Sequence, residues 1–324
     1  MEIKQLKDIN KSHLNSLIEV VALLVEVKVR TTKTEKQYAD LILQDASKKV
    51  EAKCWEYQEN KNLFDSLLDT PVVKIKALVG EYQGQIQLTV KDICILETSE
   101  DMMAGLIPTS DWGLDTLQKG LQYFYEKVET PHLKTLLDKL IFNEDYYEKF
   151  ITYPAARQVH HNFYHGLLQH VLEVLKFAFT IATTKKLTKR QQERLIVMAF
   201  LHDWAKIFEY KPLPNIGFTD EGTMLGHIFL GAHMALNTMD EITGFDQDDK
   251  LIILNGILGH HGKLEYGSPV LPKTVEAQIL HHADCVSGDI ESILSFMEEQ
   301  ENEEDSFTGK LWNMGTDYYK KGRY

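Results

Sequence analysis

Apolar and polar positions change rhythm about a third of the way along the chain. Residues 14–29 (LNSLIEVVALLVEVKV) are rich in Val, Leu and Ile and partly alternate, which predicts a long strand. The polar stretch 30–36 (RTTKTEK) turns the chain. Residues 38–44 (YADLILQ) alternate, 45–47 turn, and 49–55 (KVEAKCW) alternate again, which predicts a hairpin. Residues 60–68 fit one short helix, and 72–82 and 85–96 predict two further strands around Gln83-Gly84. Three strands, a short helix and two strands in under 100 residues suit a five-stranded oligonucleotide/oligosaccharide-binding (OB) barrel.

The period then becomes helical. Residues 98–112 read as a connector broken by Gly105 and Pro108. Residues 114–128 (LDTLQKGLQYFYEKV) space their apolar side chains by three and four, and Thr130-Pro131 opens a second helix ending LKTLLDKLIF. Five more helix patterns follow, at 166–183, 189–209, 223–242, 249–262 and 274–299, without an intervening strand or internal repeat. The expected fold is therefore multi-domain, α and β: an OB-type barrel (1–98), a helical connector (99–152), an all-α domain (153–300) and a tail (301–324).

Composition narrows this picture. At 324 residues, 44% hydrophobic and 26% charged, the chain is ordinary for a globular protein of two domains. No window of 18 uncharged apolar residues predicts a membrane span. The start, MEIKQLKDINKSH, lacks the apolar core of a signal peptide. Cys54, Cys94 and Cys285 are far apart and odd in number, which fits a reducing cytoplasm rather than a disulfide framework. The net charge of −13 argues against a large non-specific nucleic-acid surface. Residues 1–100 carry only −2 of it (14 Lys+Arg against 16 Asp+Glu), so the barrel is the better candidate to meet a nucleic acid. The acidic run 298–305 reads as solvated or partner-facing.

The chemistry lies in the histidines. Eleven of the 13 fall between His160 and His282, a density that packing alone rarely calls for. Each of the five helical patterns offers ligands: His170; His202 and Asp203; His227; His260 and His261; Asp284. Imidazoles and carboxylates from separate helices can converge inside a bundle. A carboxylate has two oxygens and can bridge two cations, whereas a neutral imidazole cannot. No Walker, Rossmann or GxSxG pattern competes with this reading.

The order H…HD…H…HH…D, with Lys206 after the His-Asp pair, resembles the two-metal branch of the HD superfamily of phosphohydrolases. With the barrel in front, the chain resembles YhaM-type 3′-to-5′ exoribonucleases. HHNFYHGLLQHVLEV (160–174), FTDEGTMLGHIFLG (218–231) and GHHGKLEYGSPVLPKTVEAQILHHAD (259–284) carry that likeness to about residue 300. His165 departs from it, where a small residue or glycine is expected. The resemblance implies two sites: His170, His202, Asp203 and Asp284 hold one cation, and Asp203 bridges to a second held by His227, His260 and His261. Mn²⁺ leads Fe²⁺, Co²⁺, Zn²⁺ and Mg²⁺ as the expected metal, and the ligand set alone does not choose among them. Two close cations activate a water and clamp both oxygens of an in-line displacement. The implied activity releases nucleoside 5′-monophosphates from single-stranded RNA or DNA, with Asp203 and Lys206 as catalytic residues. The alternative is hydrolysis of a free nucleotide, cyclic dinucleotide or dinucleoside polyphosphate by the same core.

The remaining candidates are contacts. Tyr38, Trp55, Tyr57 and Tyr82 are base-stacking candidates, and Lys28, Arg30, Lys33 and Lys36 could meet phosphates. Each has an ordinary alternative as core aromatic or solvated cation. His160 and His161 could line the substrate pocket; Ser268 and Lys273 could contact phosphate or ribose, as could Lys206. His281, one turn before Asp284, could donate to that carboxylate. His165, His233 and His282 read as packing or surface residues. The expected assembly is a cytoplasmic homo-oligomer without a membrane partner.

Overall fold

The computed structural model describes residues 1–65, 71–82, 85–97, 102, 105–156, 161–212, 217–300 and 305–321. The described chain divides into two compact units, Met1–Thr109 and Ser110–Tyr324.

The first unit is a closed barrel of β1 (Leu17–Thr31), β2 (Gln37–Gln44), β3 (Lys49–Cys54), β4 (Val72–Tyr82) and β5 (Gln85–Ile95), in the order β1-β2-β3-β5-β4. A short helix α1 (Lys61–Asp65) sits between β3 and β4. All pairings are antiparallel except β3 with β5, where Ala52 faces Leu88. The long first strand serves two neighbours. Leu17–Leu23 pair with β4 and Leu23–Thr31 with β2, and an irregularity between Leu24 and Glu26 lets the strand bend around the barrel. That bulge is why β1 alternates only in part. Ile18, Val20 and Ala22 point inward before it, and Leu23 and Leu24 are both buried beside it. In β2 and β3 the alternation is clean: Ala39, Leu41, Ala52 and Cys54 fill the core, while Tyr38, Asp40 and Lys53 face outward. The turn expected at Gln83-Gly84 lies outside the described residues.

The second unit is helical: α2 (Leu114–Glu126), α3 (Pro131–Leu140), α4 (Tyr147–Thr152), α5 (Gly166–Thr184), α6 (Lys189–Leu201), α7 (Lys206–Glu209), α8 (Asp220–Glu241), α9 (Gln247–Gly259) and α10 (Val275–Glu299). The residues expected to form a connector, α2 to α4, share one apolar core with α5 to α10. Helix starts follow the side-chain signals. Thr188 forms a capping box with Gln191, and Thr219, Asp246 and Thr274 each accept from a backbone N–H of the first turn. Arg190 and Arg194 of α6 and His132 of α3 converge on the fully buried Asp249 of α9, which neutralises it.

Two expected helices are interrupted. The pattern at 189–209 is two helices, since α6 stops at Leu201 and α7 begins at Lys206. The pattern at 223–242 is broken at Gly226 (φ 69°, ψ 156°). Both breaks fall beside ligand candidates. Residues 305–321 form a short hairpin, with bridges Phe307 to Tyr319 and Leu311 to Thr316.

Candidate metal centre

The last carbonyls of a helix have no partner within it. Two of them set the centre's first ligands. His202 follows the end of α6, and its Nδ1 lies 2.9 Å from the Ala199 carbonyl. His260 follows the end of α9, with Nδ1 2.7 Å from the Ile257 carbonyl. A carbonyl can only accept, so each Nδ1 carries a proton, and in the neutral ring Nε2 keeps its lone pair. The other three ligand candidates are held the same way. His261 Nδ1 donates to the Tyr266 carbonyl at 2.9 Å. His227 Nδ1 lies 3.0 and 2.9 Å from the two oxygens of Glu209. His170 Nδ1 lies 3.0 Å from Ser287 Oγ. That hydroxyl donates its one proton to Glu173 (2.7 Å), so it accepts from His170. In its neutral form each of the five imidazoles therefore presents Nε2 as the ligand nitrogen.

Those nitrogens converge around Asp203. Its Oδ2 lies 3.3 Å from His170 Nε2 and 3.5 Å from His202 Nε2. Its Oδ1 lies 3.3 Å from His227 Nε2 and 3.6 Å from His260 Nε2. Asp284 Oδ1 adds to the first group, 3.2 Å from His170 Nε2 and 3.8 Å from His202 Nε2. Two sets of ligand atoms result, each within 4.8 Å of one another: His170, His202, Asp203 and Asp284; and His227, His260 and His261. Asp203 Oδ1, His227 Nε2 and His260 Nε2 are buried with no hydrogen bond to satisfy them. Buried polar atoms are rarely left so without an ion or water to serve. The donor set fits two divalent cations.

The electrostatics agree. Burial pushes Asp203 and Asp284 up, but Lys206 and the histidines outweigh it at Asp203, and His170, His202 and His260 outweigh it at Asp284, so both carboxylates are held below their usual range. Burial likewise opposes the charge on Lys206, whose Nζ is 2.6 Å from Asp203 Oδ2, and Asp203 raises its pKa above the ordinary value. Burial alone would lower His170, yet Asp203 and Asp284 bring it up to about 9. His260 is raised for the same reason. Burial drives His202 down to about 3, and burial with the neighbouring His260 drives His261 down to about 4. In the metal-free chain, a proton on His170 compensates carboxylate charge that cations would otherwise meet.

The other candidates fall into place unevenly. His161 is buried, with Nε2 3.3 Å from Glu173, so it backs the Ser287–Glu173 pair behind His170 rather than lining an open pocket. His160 lies outside the described residues. Ser268 is buried with an unsatisfied Oγ, and Lys273 lies in the same loop. His281 does not donate to Asp284. Its Nδ1 lies 2.8 Å from the His260 carbonyl, where it steadies the turn carrying two ligands. His165 has a left-handed φ of 67° and its Nδ1 is 2.5 Å from the Ile151 carbonyl. A left-handed backbone is where glycine costs least, which accounts for the glycine expected there. His233 pairs with Asn237, and His282 with Gln278. On the barrel, Tyr57 is not a platform, since it is buried against Phe64 in the core. Tyr38 and Trp55 stack on each other (4.7 Å, 29°) on the outer face, with Lys53 over both rings. Arg30 and Lys53 both pair with Asp40, at 2.6 and 3.2 Å, and Lys28 with Glu26 at 2.7 Å. Tyr82 is 60% exposed. Sequence reasoning does not find Glu173, Glu209 or Ser287. Each lies 18 or more residues from the histidine it serves, or is paired through a third residue, and no local pattern marks it.

Comparison with known proteins follows the same division. Residues 23–96 match the OB-fold nucleic acid binding domain, and residues 167–289 match the HD domain. Among solved structures, the chain is similar to the mitochondrial single-stranded DNA binding protein Rim1 of S. cerevisiae, at 14% identity and a TM-score of 0.23, covering 26% of this chain and 97% of that one. It is also similar to the second OB-fold domain of replication protein A from Methanococcus maripaludis, at 18% identity and a TM-score of 0.24, covering 31% and 98%. The chain joins an OB-type barrel to a helical HD domain, and so carries a nucleic-acid-binding module followed by a metal-dependent phosphohydrolase core.

Proposed function

We propose that the protein is a metal-dependent 3′-to-5′ exonuclease acting on single-stranded RNA, with single-stranded DNA as a second substrate. One observation carries the reading: the two oxygens of Asp203 face two different ligand sets. A carboxylate so placed would serve two cations at once, and two cations would suit in-line displacement at a phosphodiester. The OB-fold match and the outward Tyr38–Trp55 pair support a strand, rather than a free nucleotide, as substrate.

When bound, the cations supply Lewis acidity and an activated water. His170, His202 and Asp284 would hold one, His227, His260 and His261 the other, and Asp203 both. A water oxygen attacks the 3′-terminal phosphorus and the bond to the 3′ oxygen of the preceding nucleotide breaks. The product is a nucleoside 5′-monophosphate and a strand shorter by one. Lys206 is held as a cation by Asp203, beside the centre, and offsets charge that builds on the phosphate. Arg30, Trp55 and Tyr82 hold the strand, and Lys273, from the loop in which Ser268 is buried, contacts its terminal phosphate or ribose.

The test is 5′-labelled single-stranded RNA incubated with EDTA-stripped protein given Mn²⁺, beside an Asp203→Ala control. A ladder receding from the 3′ end, with 5′-monophosphates released only by the metal-loaded wild type, is the expected result. Intact RNA at full metal occupancy would overturn the reading and turn attention to small nucleotides.

A further inference from the structure

Helix α7 is four residues long, and both of its ends reach the centre. Lys206, at its start, touches Asp203 Oδ2. Glu209, at its end and one turn on, is buried and takes three hydrogen bonds from one residue. Its Oε1 accepts from the His227 backbone N–H at 3.0 Å, and its two oxygens bracket His227 Nδ1 at 3.0 and 2.9 Å. The backbone bond exists because Gly226 leaves helical geometry, so His227 restarts α8 with an N–H that the helix cannot satisfy. The side-chain bonds lie on the far side of the imidazole from Nε2, so Glu209 does not itself face a cation. They turn the ring so that Nε2 points at Asp203 Oδ1, 3.3 Å away. Asp203, Lys206, Glu209 and His227 thus form a closed circuit through a single helical turn. The close fit extends to the backbone, where a Cβ at Gly222 would lie 2.2 Å from the Glu209 carbonyl oxygen.

His227 is the ligand most dependent on this circuit. His260 and His261 take their orientation from backbone carbonyls, which substitution cannot remove. We propose that Glu209 is the positioning residue that decides whether the centre holds one cation or two, by fixing the tautomer and aim of His227. The inference rests on the two-cation reading above, and concerns occupancy rather than substrate. The His170, His202 and Asp284 set has its own supports in Ala199, Ser287 and Glu173 and makes no use of Glu209.

The experiment titrates EDTA-stripped full-length protein with Mn²⁺, reading stoichiometry by calorimetry and by the electron paramagnetic resonance of coupled against isolated Mn²⁺. Wild type is expected to take two equivalents. Glu209→Ala is expected to bind the first as wild type does and the second about 10–100-fold more weakly, the usual effect of losing the partner of a ligating histidine. Its spectrum should be that of isolated Mn²⁺ at stoichiometric metal. Glu209→Gln retains one acceptor oxygen and should weaken the second site less, leaving the first unchanged. A second site of wild-type affinity in Glu209→Ala would overturn the proposal, as would equal weakening of both sites. If Glu209→Ala does not fold, Glu209→Gln decides alone: selective weakening supports the assignment and an unchanged second site overturns it. A wild type that binds no cation would overturn the metal centre itself, a result distinct from any of these.

Discussion

At the scale of single residues, the ring nitrogen turned away from the centre defines it as much as the one turned inward. The clearest test outside His227 is Ser287. Ser287→Ala removes the hydroxyl through which His170 Nδ1–H reaches Glu173. Mn²⁺ affinity at the first site should fall about 10–100-fold in a titration, a larger change than at the second. A pH effect follows from His170. Its pKa in the metal-free fold is about 9, against the ordinary 6.5. A raised pKa means that the bound proton stabilises the fold fully below about pH 6.5, and that this contribution is lost as pH rises through 9. EDTA-treated protein should therefore show a falling melting temperature across that window, and Mn²⁺-loaded protein a flatter one. His202, lowered to about 3, works the other way: the unfolded chain binds its proton near 6.5 and the fold does not, so it offsets the fall at the lower edge of the window and leaves the slope to His170 only higher in it. The candidate ligands that the structure brings together were legible in the sequence because histidine and aspartate are conspicuous in apolar surroundings. Their supports were not: Ser287 lies 117 residues from His170, and a serine at that distance carries no signal.

At the scale of elements, legibility followed periodicity. The barrel strands fell within a few residues of their expected bounds, because one face is buried and the period of two shows. Residues 195–207 are different, since every one of them is buried. A segment buried all round has no polar face to set its phase, so nothing in its pattern announces the end of α6 at Leu201. The break at Gly226 was hidden for another reason, since a single glycine in a helical pattern is ordinarily tolerated. Its φ of 69° and ψ of 156° place it where other residues are strained. Gly226→Ala should cost about 1–3 kcal/mol in urea denaturation. Because the break frees the His227 N–H and aims its ring, the same variant should also lose the second Mn²⁺ equivalent. A helix running unbroken through position 226 in that variant, with both equivalents retained, would contradict that account.

At the scale of the whole molecule, the chain packs as two units, each with its own apolar core, and the proposed function assigns binding to one and cutting to the other. Asp203→Ala should abolish hydrolysis and leave strand affinity intact in a filter-binding or anisotropy assay. Trp55→Ala should do the reverse, weakening the strand by about 1–3 kcal/mol, the worth of one stacked base. Cleavage of a small chromogenic phosphodiester by Trp55→Ala should match wild type. Loss of strand binding in Asp203→Ala would mean that the cations hold the substrate rather than only cut it.

On the two-cation reading, Asp203 also sets how the protein responds to metal supply. One Asp203 charge cannot be given in full to two cations. The site that also owns Asp284 has the larger claim on charge, and the three-histidine site is left with the remainder. Occupancy of either site must then alter the affinity of the other by the same factor, a reciprocal coupling free energy. Filling should be stepwise, with half-loaded protein prevailing when cations are scarce. On the proposed function, turnover plotted against free Mn²⁺ should lag behind total binding, with the second, nitrogen-rich position as the threshold.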